Sequence, residues 1–156
     1  RGLVALGGAP SRAALASVVV AMTASALVCG VVAVLVCAVA HGETDPPLVQ
    51  DLPASFGVAF VGGVAYAAYF SAGSAIGRGA MRGVFLALDF VLGAAAGFGS
   101  LFTPRAHVTS LLGGQACFEL SRRASSVVLV VLALAYLGLA VRLARGAVGR
   151  TPPSRA

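Results

Sequence analysis

Residues 13–40 read AALASVVVAMTASALVCGVVAVLVCAVA, a run of 28 residues without one charged side chain. About 20 consecutive apolar residues are enough to cross a bilayer as an α-helix. The whole chain shares this character, since 59% of its 156 residues are hydrophobic and 10% are charged. Soluble domains are usually about 45–50% apolar and about 25% charged. This composition excludes a water-soluble enzyme, a disordered chain and a nucleic-acid-binding module.

Three further apolar segments follow the first one, and none has the strand alternation of an outer-membrane barrel. The sequence therefore predicts an all-α fold, a polytopic integral membrane four-helix bundle over residues 13–145. A short cytoplasmic-side segment, 1–12, precedes the bundle, and a flexible basic tail, 146–156, follows it. The predicted spans are about 13–40, 56–77, 83–102 and 124–141.

The basic residues, all of them arginines, give the orientation. Eight of the eleven fall on one side of the predicted bundle, while four of the five acids fall on the other. By the positive-inside rule, both termini face the cytoplasm or the equivalent matrix or stromal side. Whether the membrane is a plasma membrane or an organellar inner or thylakoid membrane stays open. The eight are Arg1, Arg12, Arg78, Arg82, Arg142, Arg145, Arg150 and Arg155.

Small residues recur at helical spacing in the second and third spans. The second carries Gly62, Tyr66, Tyr69, Gly73 and Gly77 at intervals of three and four, and these share one stripe. Lipid offers no hydrophobic drive for helix association, so small residues that permit close approach are important. The second and third helices are therefore predicted to pack closely. The pairs Gly73–Gly77 and Gly93–Gly97 both fit the GxxxG pattern.

Asp89 is the one acidic residue inside a predicted span. A carboxylate in this position is costly unless it is paired, protonated or close to water. Counting residues from the cytoplasmic end places Tyr69 and Tyr136 at about the same depth. We expect Asp89 to accept a hydrogen bond from one of these two phenols, with an arginine such as Arg12 or Arg142 nearby. The functional interpretation is a proton or cation site, and the structural one is a polar clamp.

Catalytic and metal-binding patterns do not emerge from the sequence. There is no CxxC, HExxH, phosphate loop or serine triad, so neither an enzyme nor a metal site is predicted. No cofactor is predicted, although bound lipid is expected. His41 and His107 are both placed in solvated loops outside the spans. Cys37 and Cys117 either form a bridge on the non-cytoplasmic side or act as small buried hydrophobes.

Two short motifs carry a family resemblance. Residues 56–66 read FGVAFVGGVAY in the second span, and residues 85–92 read FLALDFVL around Asp89 in the third. With four spans and both termini on one side, the chain resembles the MARVEL and CASP-like four-helix membrane proteins. That resemblance implies a non-catalytic scaffold or membrane-organising role through self-association and lipid contacts, with Asp89 as the third-helix acid.

Two other interpretations belong to different classes of protein. The long span after Ala9–Arg12 and the semi-apolar loop 103–123 are similar to the last four helices of a type-2 ABC exporter permease, which implies an ATPase partner. Without any family, the chain fits an accessory subunit of a respiratory or photosynthetic complex, where bound pigment is an additional expectation. The expected partners are membrane lipids, further membrane-protein subunits or a second copy of the chain, and no nucleic acid.

Overall fold

The computed structural model describes residues 10–43, 45–77, 80–94, 97–115 and 117–148. Over these residues the protein is all-helical, without a strand, and two short 3₁₀ turns lie at Phe98–Phe102 and Cys117–Glu119. The segments 1–9 and 149–156 and the predicted topology residue Arg78 lie outside the described residues. The α-helices are α1 (Pro10–Ala40), α2 (Leu48–Gly77), α3 (Met81–Ala94), α4 (Pro104–Leu111) and α5 (Arg122–Val148).

Three of these helices, α1, α2 and α5, are long and apolar enough to cross a membrane. Their most apolar stretches differ in burial, with 39% of residues buried in α2, 17% in α5 and 11% in α1. The central helix is therefore α2. Its small residues Ala65 and Ala68 form the hydrophobic core with Leu129 and Ala133 of α5.

The start of α2 and the end of α5 depart from the sequence prediction. The loop predicted to extend to Ser55 is shorter, because α2 begins at Leu48, directly after Pro47, and contains Pro53. Pro53 is the sixth residue of α2, just past the first turn, so it removes the backbone hydrogen bond that this position would otherwise donate to Val49 O. At the other end of the chain, α5 continues to Val148, so the first residues of the predicted tail are helical.

The predicted continuous third span, 83–102, is not one helix. The α-helix ends at Ala94, and a 3₁₀ turn and the short helix α4 follow. Glycines at 93, 97 and 99 lower helix propensity here, and Pro104 suits the first turn of a new helix better than a helix interior. We call residues 81–111 the broken segment.

Contacts between helices fix their relative directions. On α1 and α2, Gly30 lies against Phe56 and Ala26 lies against Gly63, so these helices are antiparallel. Val61 of α2 lines one groove with Ala133 of α5, and Ser71 lines another with Ala140, so α2 and α5 are parallel. Leu15 near the start of α1 and Arg142 near the end of α5 line one surface groove. The start of α1 and the end of α5 therefore lie at the same end of the molecule.

Candidate functional site

Asp89 is buried, only 4% exposed, in the third turn of α3. Its Oδ2 accepts a hydrogen bond from the Tyr66 hydroxyl at 3.1 Å. Its Oδ1 accepts a second from the backbone N–H of Arg105, also at 3.1 Å. Both carboxylate oxygens are thus held by protein donors, one on α2 and one on α4.

The Arg105 amide belongs to the first turn of α4, where backbone N–H groups have no partner within the helix. Thr103, the residue in the N-cap position of α4, makes no side-chain capping bond. Asp89, although it lies on α3, takes the role of an N-cap residue for α4. A carboxylate also complements the partial positive charge of a helix N-terminus. Asp89 thereby joins the two halves of the broken segment.

The two phenols expected to bond Asp89 bond backbone carbonyls instead. The Tyr69 hydroxyl donates to Phe85 O at 2.8 Å, and the Tyr136 hydroxyl donates to Phe102 O at 2.7 Å. Counting residues from the cytoplasmic end misplaces Asp89 by one helical turn relative to α2. Phe85 lies opposite Tyr69, so Asp89, four residues later, lies opposite Tyr66. The two rings still pack edge to face, with centroids 5.0 Å apart.

The arginine associated with this cluster is Arg105, rather than Arg12 or Arg142, both of which are exposed. Its guanidinium carbon lies 4.3 Å from the centroid of the Phe90 ring, one residue beyond Asp89. A cation over an aromatic face is an attractive arrangement. Of the other predicted topology residues, Arg82 donates to the Ser74 hydroxyl and Arg145 is exposed.

His107 was missed by the sequence reasoning, which placed it in a solvated loop. The structure buries its side chain completely in α4. Its Nε2 lies 3.1 Å from Leu101 O, which requires that this nitrogen donate, and its Nδ1 has no hydrogen-bond partner among the described residues. Ala106, His107 and Ser110 lie at helical spacing on one face of α4, and all three are buried.

Four of the five predicted packing glycines lie at close contacts. A Cβ at Gly62 would lie 3.2 Å from Val108, one at Gly73 would lie 2.9 Å from Phe85, and one at Gly77 would meet Met81. The fifth, Gly97, lies beyond the end of α3 with no described atom within 4 Å, so Gly93 and Gly97 do not form a helical pair. Gly63, which the sequence reasoning did not select, makes the closest backbone contact, to Ala26.

We expect Gly93→Ala to destabilise the protein. The new Cβ would lie 2.8 Å from Arg105 Cβ and 3.1 Å from Thr103 Oγ1, at the place where α3 packs against the start of α4. Overpacking of this kind costs about 1–3 kcal/mol. Thermal unfolding in detergent should show it. Gly83→Ala is the matched control on the same helix, since no described atom lies within 4 Å there. Equal midpoints for both variants would contradict the α3–α4 packing.

The thiol of Cys37 is free and donates to Asp51 Oδ2 at 3.1 Å, while the side chain of Cys117 lies outside what the structure describes. Among the described residues, no group of three or more His, Cys, Asp or Glu side chains is arranged to hold a metal ion. The cluster around Asp89 instead pairs its hydroxyls and carboxylate with one another and with backbone. Such an arrangement fixes the geometry of a helix break.

No known family matches the chain, and neither a curated protein nor a solved structure is similar to it.

Proposed function

We propose that this chain is a non-catalytic integral membrane protein with a scaffold or membrane-organising role. In this proposal it crosses the bilayer four times, with α1, α2 and α5 as unbroken spans and the broken segment as the third crossing. Both termini then lie on the arginine-rich side. The observation that carries the proposal is the internal pairing of Asp89, Tyr66, Tyr69 and Tyr136, beside outer helix faces that are apolar.

The dimensions of the broken segment support a full crossing. It begins with Met81 packed on Gly77 of α2, and Leu112, directly after α4, lines the same groove as Ser55. Along α2, the distance from Gly77 to Ser55 is about 33 Å at 1.5 Å per residue. The hydrocarbon core of a bilayer is about 30 Å thick. Non-helical backbone at that depth is tolerated where protein buries it, as Ser100 and Thr103 are buried here.

The apolar exterior supports a role that works through lipid or partner helices. Large side chains along α1 are more than half exposed, among them Val28, Leu35 and Val36, and so are Val131 and Leu134 of α5. A soluble protein rarely exposes so continuous an apolar face. Lipid tails cover such a face in a bilayer, and so do transmembrane helices of another subunit or a second copy. The MARVEL-like scaffold is our first proposal.

A second candidate, an accessory subunit of a larger membrane complex, is favoured by the exposed outer face of α1. Its apolar stretch is the least buried of the three long helices. An α1 that helps fill the space between larger partners would gain the contacts it lacks in the single chain. Purification in mild detergent from the native source separates these candidates: a homo-oligomer with lipid indicates the scaffold, and a large co-migrating assembly indicates the accessory subunit.

Cysteine labelling tests the four crossings. In a background without native cysteines, we expect Gly42→Cys and Gln115→Cys to react with a membrane-impermeant thiol reagent from one side. Ala80→Cys and Arg145→Cys should react only from the other side. Ala80 and Gln115 flank the broken segment, so their labelling from the same side would show that this segment does not cross. All four variants should be labelled after detergent is added.

A further inference from the structure

A groove of about 520 Å³ opens between α1 and α2 at the end of the molecule where α1 ends. Its floor is one stripe of α1, spaced at three and four residues from Cys29 to His41. The first turns of α2 and Leu112 after α4 complete its walls. The volume lies within the range of about 300–1,000 Å³ typical of small-molecule sites.

The two ends of this groove differ in chemistry. The end nearer the middle of the bundle is lined by Val32, Ala33 and Val36, and the other end by His41, Asp45 and Asp51. The apolar floor from Cys29 to Ala40 is about 17 Å long at 1.5 Å per residue. That is about half of the bilayer core, the depth of one lipid leaflet. A ligand that matches both ends is an amphiphile with its polar group at the interface.

The charge at the polar end selects the headgroup. Two carboxylates, Asp45 and Asp51, line it, and no arginine is among the described lining residues, although the chain as a whole has a net charge of +6. Asp45 Oδ2 accepts the Gly42 N–H at 2.8 Å, and Asp51 Oδ2 accepts the Cys37 thiol at 3.1 Å. These bonds orient both carboxylates. A carboxylate accepts about four hydrogen bonds, so each can take further donors.

We propose that this groove binds a phospholipid with a primary ammonium headgroup, that is, phosphatidylethanolamine. The ammonium donates to Asp45 and Asp51, and one acyl chain lies along Val32 and Val36. This inference rests on the proposed membrane function and deepens it, because it names the lipid and the leaflet at the non-cytoplasmic end. A headgroup without N–H donors or with net negative charge satisfies the two carboxylates less well.

The test is native mass spectrometry of the full chain released from nanodiscs that contain equal amounts of phosphatidylethanolamine, phosphatidylcholine and phosphatidylglycerol. We expect phosphatidylethanolamine adducts to dominate. The double variant Asp45→Asn/Asp51→Asn should lower them at least tenfold, because it weakens two charge-assisted hydrogen bonds and the loss of one corresponds to about a factor of ten. Glu43→Gln is the control, since Glu43 is an exposed acid on the same loop outside the groove lining.

A second pair of variants tests the apolar end. Ala33→Phe fills the groove and should lower adduct formation, while Val39→Phe adds similar bulk at a position that is 89% exposed and outside the lining. Equal adducts for the three lipids, adducts unchanged in both groove variants, or a second copy of the chain in place of lipid would each overturn the inference. If these variants keep the cysteine-labelling pattern expected for four crossings, the failure concerns the groove alone. If the unmodified protein does not show that pattern, the proposed function itself is overturned.

Discussion

Gly63→Ala is expected to push α1 away from α2 and to give the largest loss of stability among alanine substitutions at the described glycines. The new Cβ would lie 2.8 Å from Ala26 Cα, 2.9 Å from Ser25 O and 3.0 Å from Ala26 N. All three atoms belong to the backbone of α1, so no side-chain rotation can relieve the clash. We expect a loss at or above the top of the range of about 1–3 kcal/mol for overpacking, measured as the free energy of unfolding in bicelles.

A graded series on α2 controls for helix propensity, which favours alanine over glycine by about 1 kcal/mol at every position. At Gly57 no described atom lies within 4 Å, so Gly57→Ala should leave the protein unchanged or slightly more stable. At Gly62 the added Cβ would lie 3.2 Å from a Val108 methyl, a contact that a side chain can partly relieve. Stability should therefore fall in the order 57, 62, 63, and a loss at Gly57 equal to that at Gly63 would contradict the contact.

The long apolar runs predicted from the sequence are confirmed as helices in α1, α2 and α5. Composition alone predicts these three helices, because a run of about 20 uncharged apolar residues crosses a membrane as a helix. Close packing between α2 and the third helix also follows from Gly73, which lies against Phe85. These features depend on local sequence and spacing, and therefore they could be predicted.

The broken segment shows where such reasoning fails. Apolar content is continuous through residues 83–102, so a hydropathy count cannot detect that the helix ends at Ala94. Asp89 bonds Tyr66 rather than the predicted Tyr69 because of the register between α2 and α3. A count of residues from the predicted membrane edge fixes that register only to within one turn. The burial of His107 follows from the packing of α4 against α2 and α5, which depends on tertiary contacts.

Asp89→Ala is expected to loosen the junction between α3 and α4. It leaves two donors without an acceptor, the Tyr66 hydroxyl and the Arg105 backbone N–H, at a position that is 4% exposed. Each buried donor that loses its partner costs about 1–3 kcal/mol, so the free energy of unfolding in bicelles should fall by about 2–6 kcal/mol. Asp89→Asn keeps one acceptor oxygen and should cost about half as much.

A double-mutant cycle and a spectroscopic titration separate the structural clamp from a proton site. If the clamp holds, Asp89→Ala combined with Tyr66→Phe should cost less than the sum of the single changes, because the phenylalanine leaves no unpaired hydroxyl. Strict additivity would contradict the Tyr66 bond.

Infrared difference spectra, with Asp89→Asn as the control, then report whether the carboxyl gains a proton across the pH range in which the protein stays folded. An invariant carboxyl band supports the clamp, since a group that only joins two helix ends has no need to change its charge. A band that appears and disappears with pH would instead favour proton exchange at the broken segment, where His107 is the second buried ionisable side chain.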